Sequence, residues 1–191
     1  MEPISLALIF GSFLVLLLFY RQEKYDTLNG VLLFGVALSL LFMKIFLLDN
    51  ISLFFIPSSF VISGLVTLVA TIFVAIILFL MRKYKPSRFE KRYILILLIL
   101  YIFFGFLQQL FFQFVFLETI YSITKSFFLS IIISAFYYSL FHLREKTKRF
   151  FFGTLALGII YSTIYLFYGN LIWLGISHGI LGTIYYVYYF K

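Results

Sequence analysis

The chain has 191 residues and a formal net charge of +8; 64% of its residues are hydrophobic and only 12% are charged. Soluble domains carry about 45–50% apolar and about 25% charged residues, and a soluble chain of this size could not cover so much apolar surface. We therefore predict an integral membrane protein and exclude a soluble domain. The absence of cysteine excludes disulfides, thiolate metal ligands and a cysteine nucleophile. The positive charge does not indicate nucleic-acid binding, because the basic residues stand beside apolar stretches, where they set membrane orientation.

Seven apolar stretches follow one another along the chain, divided by charged clusters and by Gly, Pro and Asn. We place membrane-spanning helices at residues 3–20, 29–48, 52–81, 94–117, 122–142, 150–168 and 170–190. A crossing takes about 20 residues, so each stretch is compatible with one helix. The third is long for a single crossing, and Pro57 near its start predicts a turn or kink. The first stretch lacks the basic residues and the cleavage pattern of a removable signal peptide, which favours a permanent helix.

The basic residues alternate between rich and poor loops. Thirteen of the fifteen Lys and Arg residues fall after the first, third, fifth and seventh stretches. Basic loops of membrane proteins face the cytoplasm, so we predict an N-terminus outside and a cytoplasmic C-terminus. The sequence thus predicts an all-α polytopic protein with about seven transmembrane helices and a single membrane domain over residues 1–191. We expect a prokaryotic inner membrane, because the chain is free of cysteine and carries no recognisable cleavage site.

Polar side chains inside apolar stretches are costly and are therefore candidates for function. Lys44 lies near the predicted outer end of the second helix, and we interpret it as extending its ammonium to the interface. Several hydroxyls can bond to carbonyls of their own helix or to a neighbouring helix, and they need no function. They are Ser39, Ser63, Thr67, Thr71, Ser130 and Ser134.

Three glutamines and two histidines are the strongest candidates for a site. Gln109 and Gln113 share one face of the predicted fourth helix at a spacing of four, and Gln108 flanks them. His142 closes the predicted fifth helix, and His178 lies well inside the seventh. Taken singly, each residue is also explained as a structural hydrogen-bond partner between helices or, for His142, as an interfacial residue.

Taken in order, these residues resemble the motifs of the CPBP family of intramembrane proteases, the CAAX-processing and bacteriocin-immunity (Abi) group. The family pattern is Glu-Glu-x-x-x-Arg, then aromatic-x-x-x-His, then His-x-x-x-Asn. This sequence has Gln108-Gln109-x-x-x-Gln113, Tyr138-x-x-x-His142 and His178-x-x-x-Gly182. The resemblance implies N-terminal helices over 1–90 and a CPBP-like core over 91–191, with catalytic motif positions at Gln108, Gln109, Gln113, His142 and His178.

The departures from the family pattern fall on its chemistry. In the family a glutamate activates water, whereas a neutral amide cannot accept a proton near neutral pH. Two histidines alone also fall short of the three or four protein ligands of a usual metal site, so we predict no cofactor. A divalent metal at His142 and His178 stays open. Engineered inactivation would account for Gln108 and Gln109 but not for Gln113 or Gly182, so we favour natural divergence.

These departures leave three functional hypotheses. We favour a CPBP-like protein that lacks glutamate-dependent proteolysis and binds a lipidated or hydrophobic membrane protein segment, with membrane lipids as further partners and no nucleic acid. The alternative is an active membrane-embedded hydrolase or acyltransferase, in which His142 or His178 is the base and Gln side chains stabilise an oxyanion. Whether the protein is an enzyme therefore stays open. A transporter is less favoured, because the sequence has no inverted repeat.

Overall fold

The computed structural model describes residues 3–21, 27–47, 59–81, 91–142 and 148–189. Within these ranges all regular structure is helical, which confirms the all-α class. We label the helices α1 (Pro3–Arg21), α2 (Thr27–Leu47), α3 (Phe60–Met81), α4 (Lys91–Gln109), α5 (Glu118–Thr124), α6 (Phe127–Leu140), α7 (Lys148–Tyr168) and α8 (Leu171–Tyr189). A π-helical segment, Leu110–Leu117, lies between α4 and α5.

Four helical stretches are long and apolar enough to cross a membrane. They are Phe60–Leu80, Arg92–Thr124, Phe150–Tyr168 and Leu171–Tyr188. Three shorter apolar helices accompany them, at Pro3–Phe19, Gly35–Phe46 and Phe127–Leu140. Length and composition therefore confirm a membrane protein, while the predicted number of crossings and the orientation stay predictions.

Several predicted boundaries differ from the structure, and the predicted fifth helix at 122–142 is interrupted at Lys125 and Ser126. Helix α3 begins at Phe60 rather than at residue 52, and Pro57 lies outside the described residues. The predicted loop at residues 118–121 is helical, because the helix continues to Thr124. The prediction took the charge of Glu118 as the sign of a loop, but this carboxylate is paired inside the helical structure, so it does not end the helix.

The turn between α5 and α6 lies at Lys125 and Ser126. Lys125 adopts a left-handed conformation (φ 52°), and its N–H donates to the carbonyl of Tyr121. The Ser126 hydroxyl accepts from the backbone N–H of Leu129 and so caps the start of α6. Such a cap satisfies one of the backbone donors that the first helical turn leaves unpaired.

The chain forms two compact units. The first comprises residues 1–52 and 110–166, and the second comprises residues 53–109 and 167–191. In the first unit α1 packs on α2, and α6 packs on α5 and on the π-helical segment. Tyr137 of α6 stacks on Phe116 with 3.9 Å between ring centroids, and its hydroxyl donates to the carbonyl of Ser12. An aromatic cluster thus joins α6 to α1 and to the π-helical segment.

In the second unit α8 packs against α4 and α3. Glycines let the backbones of α4 and α8 approach closely, as small residues do in membrane helix pairs. A Cβ added to Gly179 would lie 2.4 Å from Cα of Ile102, and one added to Gly175 would lie 2.8 Å from Cα of Phe106. This close seam holds the end of α4 beside the middle of α8.

Candidate functional site

The glycine seam of the second unit brings Gln109 of α4 next to His178 of α8. Gln109 is fully buried, and its Nε2 lies 2.8 Å from Nδ1 of His178. A Cβ added to Gly105, one turn before Gln109, would lie 3.1 Å from Cβ of His178, so the seam leaves no room for a larger residue there. An amide nitrogen only donates, and therefore Nδ1 accepts and the neutral imidazole carries its proton on Nε2.

Gln108 has a different environment from its neighbour. Its side chain is exposed, whereas Gln109 is buried. Within the predicted glutamine pair, Gln109 is thus the member that contacts a histidine of the family motif.

Gln113 lies in the π-helical segment of the first unit. All eight residues of this segment are buried, and Oε1 of Gln113 accepts a hydrogen bond from the Ser162 hydroxyl at 3.2 Å. The prediction that Gln109 and Gln113 share a face assumed α-helical spacing, and this assumption fails from Leu110 onwards. π-Helical turns inside α-helices are rare, and many of those that are found lie at functional sites.

His142 lies in the turn after α6, since α6 ends at Leu140 rather than at the predicted residue 142. Its Nδ1 lies 3.1 Å from the carbonyl oxygen of Tyr138, and its ring contacts the rings of Tyr138 and Phe150. A carbonyl only accepts, so Nδ1 of His142 donates and Nε2 keeps its lone pair. The two histidines therefore hold opposite tautomers.

The predicted site residues are divided between the two units. Gln109 and His178 meet in the second unit, while Gln113 and His142 belong to the first. Gly182, at the family's asparagine position, packs on Tyr101: a Cβ there would lie 2.8 Å from Cδ1 of that ring. Among the described residues, no three His, Cys, Asp or Glu side chains group together as metal ligands.

A buried ion pair in the first unit was missed by the sequence analysis. Nζ of Lys44 lies 3.3 Å from Oε2 of Glu118, and the Tyr165 hydroxyl donates to Oε1 of the same carboxylate. Nζ also lies 5.5 Å from the centroid of the Phe114 ring. Lys44 is 5% exposed, so the interpretation that it reaches the interface is wrong. The signal was the lysine itself, because a charge inside an apolar helix requires an opposite partner.

Comparison with known proteins agrees with the motif resemblance. A protein-family model described as type II CAAX prenyl endopeptidase Rce1-like matches residues 90–184. The matched range contains all three motif positions, from Gln108 to Gly182. Comparison with curated proteins gave no match, and comparison with solved structures gave none.

Proposed function

Since residues 90–184 match the Rce1-like family model of type II CAAX prenyl endopeptidases, we propose that this membrane protein lacks glutamate-dependent proteolysis and binds a hydrophobic or lipidated membrane protein segment. The observation that supports the proposal is the hydrogen bond from the amide of Gln109 to Nδ1 of His178. The family motif has a glutamate where this chain has Gln109. The residue in contact with His178 is therefore an amide, which cannot take up a proton, where the family motif has a carboxylate, which can.

The exchange also changes what His178 offers to a ligand. A carboxylate at position 109 would accept a hydrogen bond from the N–H of Nδ1 and leave Nε2 with its lone pair, as a base. The amide instead donates to Nδ1, which places the imidazole proton on Nε2 and makes that atom a donor. A donor can bind a carbonyl oxygen, but it cannot deprotonate a water molecule. The pair is thus poorly suited to hydrolysing a peptide.

The expected ligand follows from the surroundings of this pair. Helices α4 and α8 both belong to stretches that are long and apolar enough to cross a membrane. A peptide carbonyl within hydrocarbon needs a hydrogen-bond donor, because no water is present to supply one. A hydrophobic or lipid-anchored segment is the kind of peptide that reaches this depth. We propose such a segment as the partner and no resident cofactor.

A histidine-dependent hydrolase is the second candidate. His142 donates through Nδ1 to the carbonyl of Tyr138, so the lone pair on its Nε2 is available as a base. This hydrogen bond favours His142 over His178 as a general base. A reaction of this kind would not depend on Gln109.

Restoring the family residues tests the proposal. The restored variant combines Gln108→Glu, Gln109→Glu, Gln113→Arg and Gly182→Asn, together with Tyr101→Leu, because a Cβ at 182 would lie 2.8 Å from that ring. A fluorogenic lipidated peptide is supplied in vesicles, and cleavage is compared with that by the native chain. The matched control keeps Gln109 and carries the other changes.

We expect cleavage by the restored variant alone, and saturable binding of the intact peptide by the native chain. Gln109→Leu should weaken that binding, because Nδ1 of His178 loses its donor. Cleavage by the native chain that His142→Ala abolishes would establish the histidine-dependent hydrolase instead. Peptide binding that is equal in the native chain and in Gln109→Leu would remove the proposed binding site.

A further inference from the structure

Helix α8 has two faces that pack against different helices. Gly175 and Gly179 face α4, where His178 also lies. Trp173 and Ser177 face α3: the Trp173 ring covers Gly64, and Ser177 bonds to Thr71. Successive residues of an α-helix are 100° apart, which places these two sets on opposite sides of α8. The α3 side is therefore separate from the pair of Gln109 and His178.

An open cleft of about 270 Å³ lies along the α3 side of α8. Most of its lining side chains are aliphatic or aromatic, three are hydroxyl residues (Thr67, Thr71 and Ser177), and every lining residue is uncharged. It extends on α3 from Phe60 to Thr71, about 17 Å at 1.5 Å per residue. This is close to half of the roughly 30 Å hydrocarbon thickness, which is the depth of one lipid leaflet. The cleft has the length and the lining of a site for a single alkyl chain.

A row of hydroxyls at a spacing of four, Ser63, Thr67 and Thr71, runs along α3 beside this cleft. Oγ1 of Thr71 lies 2.6 Å from the carbonyl of Thr67 and 2.6 Å from Oγ of Ser177. Oγ1 of Thr67 and Oγ of Ser63, both buried, have no hydrogen-bond partner within the described part of the chain. These two hydroxyls therefore make neither of the hydrogen bonds, to a helix carbonyl or to a neighbouring helix, that the sequence allowed for them.

Of these two unpaired hydroxyl residues, Thr67 lines the cleft. An unpaired hydroxyl in an apolar site costs free energy unless a ligand supplies an acceptor. The ligand should therefore carry an acceptor oxygen near one end of its alkyl chain. A free charge on the ligand would find no partner in the cleft, because its lining is uncharged.

The depth of Thr67 indicates which acceptor this is. Trp173 lies at one end of the cleft, and its Nε1 donates to the carbonyl of Phe60 at 3.0 Å. Tryptophan is enriched at the membrane interface, whose polar layer is roughly 5–8 Å thick on each side. Thr67 lies about 10 Å from Phe60 along α3, and its Cβ tilts back towards the start of the helix. Its hydroxyl is thus near the level at which acyl chains leave their ester groups.

We propose that the cleft between α3 and α8 binds one acyl chain of a bilayer glycerolipid, with the ester carbonyl accepting a hydrogen bond from Thr67. The alkyl part lies on the apolar walls between α3 and α8. The head group stays in the interface beyond Trp173. This lipid site is on the opposite side of α8 from His178, so the lipid proposal is independent of whether a peptide binds at Gln109 and His178.

Trp173 provides the test, because it is the one tryptophan of the sequence and it lines the cleft. The protein is reconstituted in vesicles that contain a small fraction of phosphatidylcholine with brominated chains, which quench tryptophan on contact. The brominated lipid is either ester-linked or ether-linked, since an ether has no carbonyl. We expect the ester lipid to reach half-maximal quenching at an about threefold to tenfold lower fraction, the ratio that one hydrogen bond inside a membrane supports.

Thr67→Val removes the hydroxyl at nearly constant volume and should abolish the preference for the ester lipid. The matched control is Thr154→Val on α7, whose hydroxyl bonds to carbonyls of its own helix and should not affect Trp173. Ile176→Phe fills the cleft and should reduce quenching by both lipids. Equal quenching by ester and ether lipids in the native chain, or a preference that survives Thr67→Val, overturns the proposal. Recovery of fluorescence on adding an equimolar acylated peptide would show that the cleft binds the acyl chain of the peptide instead, and would also overturn the proposal.

Discussion

Whether residue 109 carries an amide or a carboxylate determines the direction of its hydrogen bond with Nδ1 of His178. The Gln109 amide donates to Nδ1 of His178, while a carboxylate at the same place could only accept. His142 shows the opposite arrangement, since its Nδ1 donates to the carbonyl of Tyr138. The chain contains two histidines, so both tautomers can be followed without interference from other imidazoles.

We predict that Gln109→Glu moves the proton of neutral His178 from Nε2 to Nδ1. The reason is that the new carboxylate accepts from Nδ1, where the native amide donates to it. The measurement is the ¹⁵N spectrum of histidine-labelled protein, with His142→Ala used to assign the His178 signals. Gln108→Glu is the control, because Gln108 is exposed and its exchange should leave the His178 tautomer unchanged. A native His178 that is already protonated at Nδ1 would contradict a hydrogen bond from the Gln109 amide to Nδ1.

At the scale of the helices, the position of His178 depends on how closely α4 and α8 approach. A Cβ at Gly179 would meet Cα and N of the Ile102 backbone, which cannot rotate away, as well as the side-chain Cγ1 of Ile102. Even a methyl group at this position therefore has to separate the two helices. Separation would also lengthen the hydrogen bond from Gln109 to His178.

Gly179→Ala should consequently destabilise the protein by about 1–3 kcal/mol, the usual cost of overpacking. The added Cβ would lie 2.4 Å from Cα of Ile102. Thermal unfolding in detergent measures the loss of stability, and the His178 ¹⁵N signals should report the lost hydrogen bond. The matched control is Gly153→Ala in α7, where a Cβ meets nothing within 4 Å. That change should be neutral or stabilising by up to about 1 kcal/mol, since alanine favours a helix over glycine.

Helix positions were predictable from sequence because long apolar runs between charged clusters have few alternatives in a membrane. The runs at 3–20 and 150–168 agree with α1 and α7 to within two residues. The π-helical segment was not predictable, because an assumed period of 3.6 residues cannot show an interval in which that period fails. The sequence also does not show which distant residues form ion pairs. Glu118 was therefore predicted to lie in a loop, although it is paired with Lys44 inside the protein.

Motif order was the most informative part of the sequence for the candidate site. It indicated the CPBP family, and the match over residues 90–184 confirms that resemblance. It also named Gln109 and His178, which lie in contact. The sequence could not show the direction of the histidine hydrogen bonds or the unpaired hydroxyl of Thr67, because both depend on which atoms face each other in the fold.

For the whole molecule, the remaining question is how the chain crosses the membrane. We propose about seven crossings in a prokaryotic inner membrane, with the N-terminus outside. The stretch Arg92–Thr124 has 33 residues, about 50 Å of helix, which exceeds one hydrocarbon thickness. We propose that this stretch crosses the membrane once, tilted or protruding, between the basic residues of 82–92 in the sequence and Ser122.

The absence of native cysteine lets single cysteines report this topology without background. Ser122→Cys is a small change at an exposed position of α5, and Ser87→Cys lies in the basic segment 82–92. We predict that a membrane-impermeant maleimide labels the cysteine at 122 in intact cells and the cysteine at 87 only after permeabilisation. The physical reason is that the segment with six basic residues is retained in the cytoplasm. Labelling of both sites from one side would contradict a crossing between them, and labelling of 87 alone in intact cells would reverse the proposed orientation.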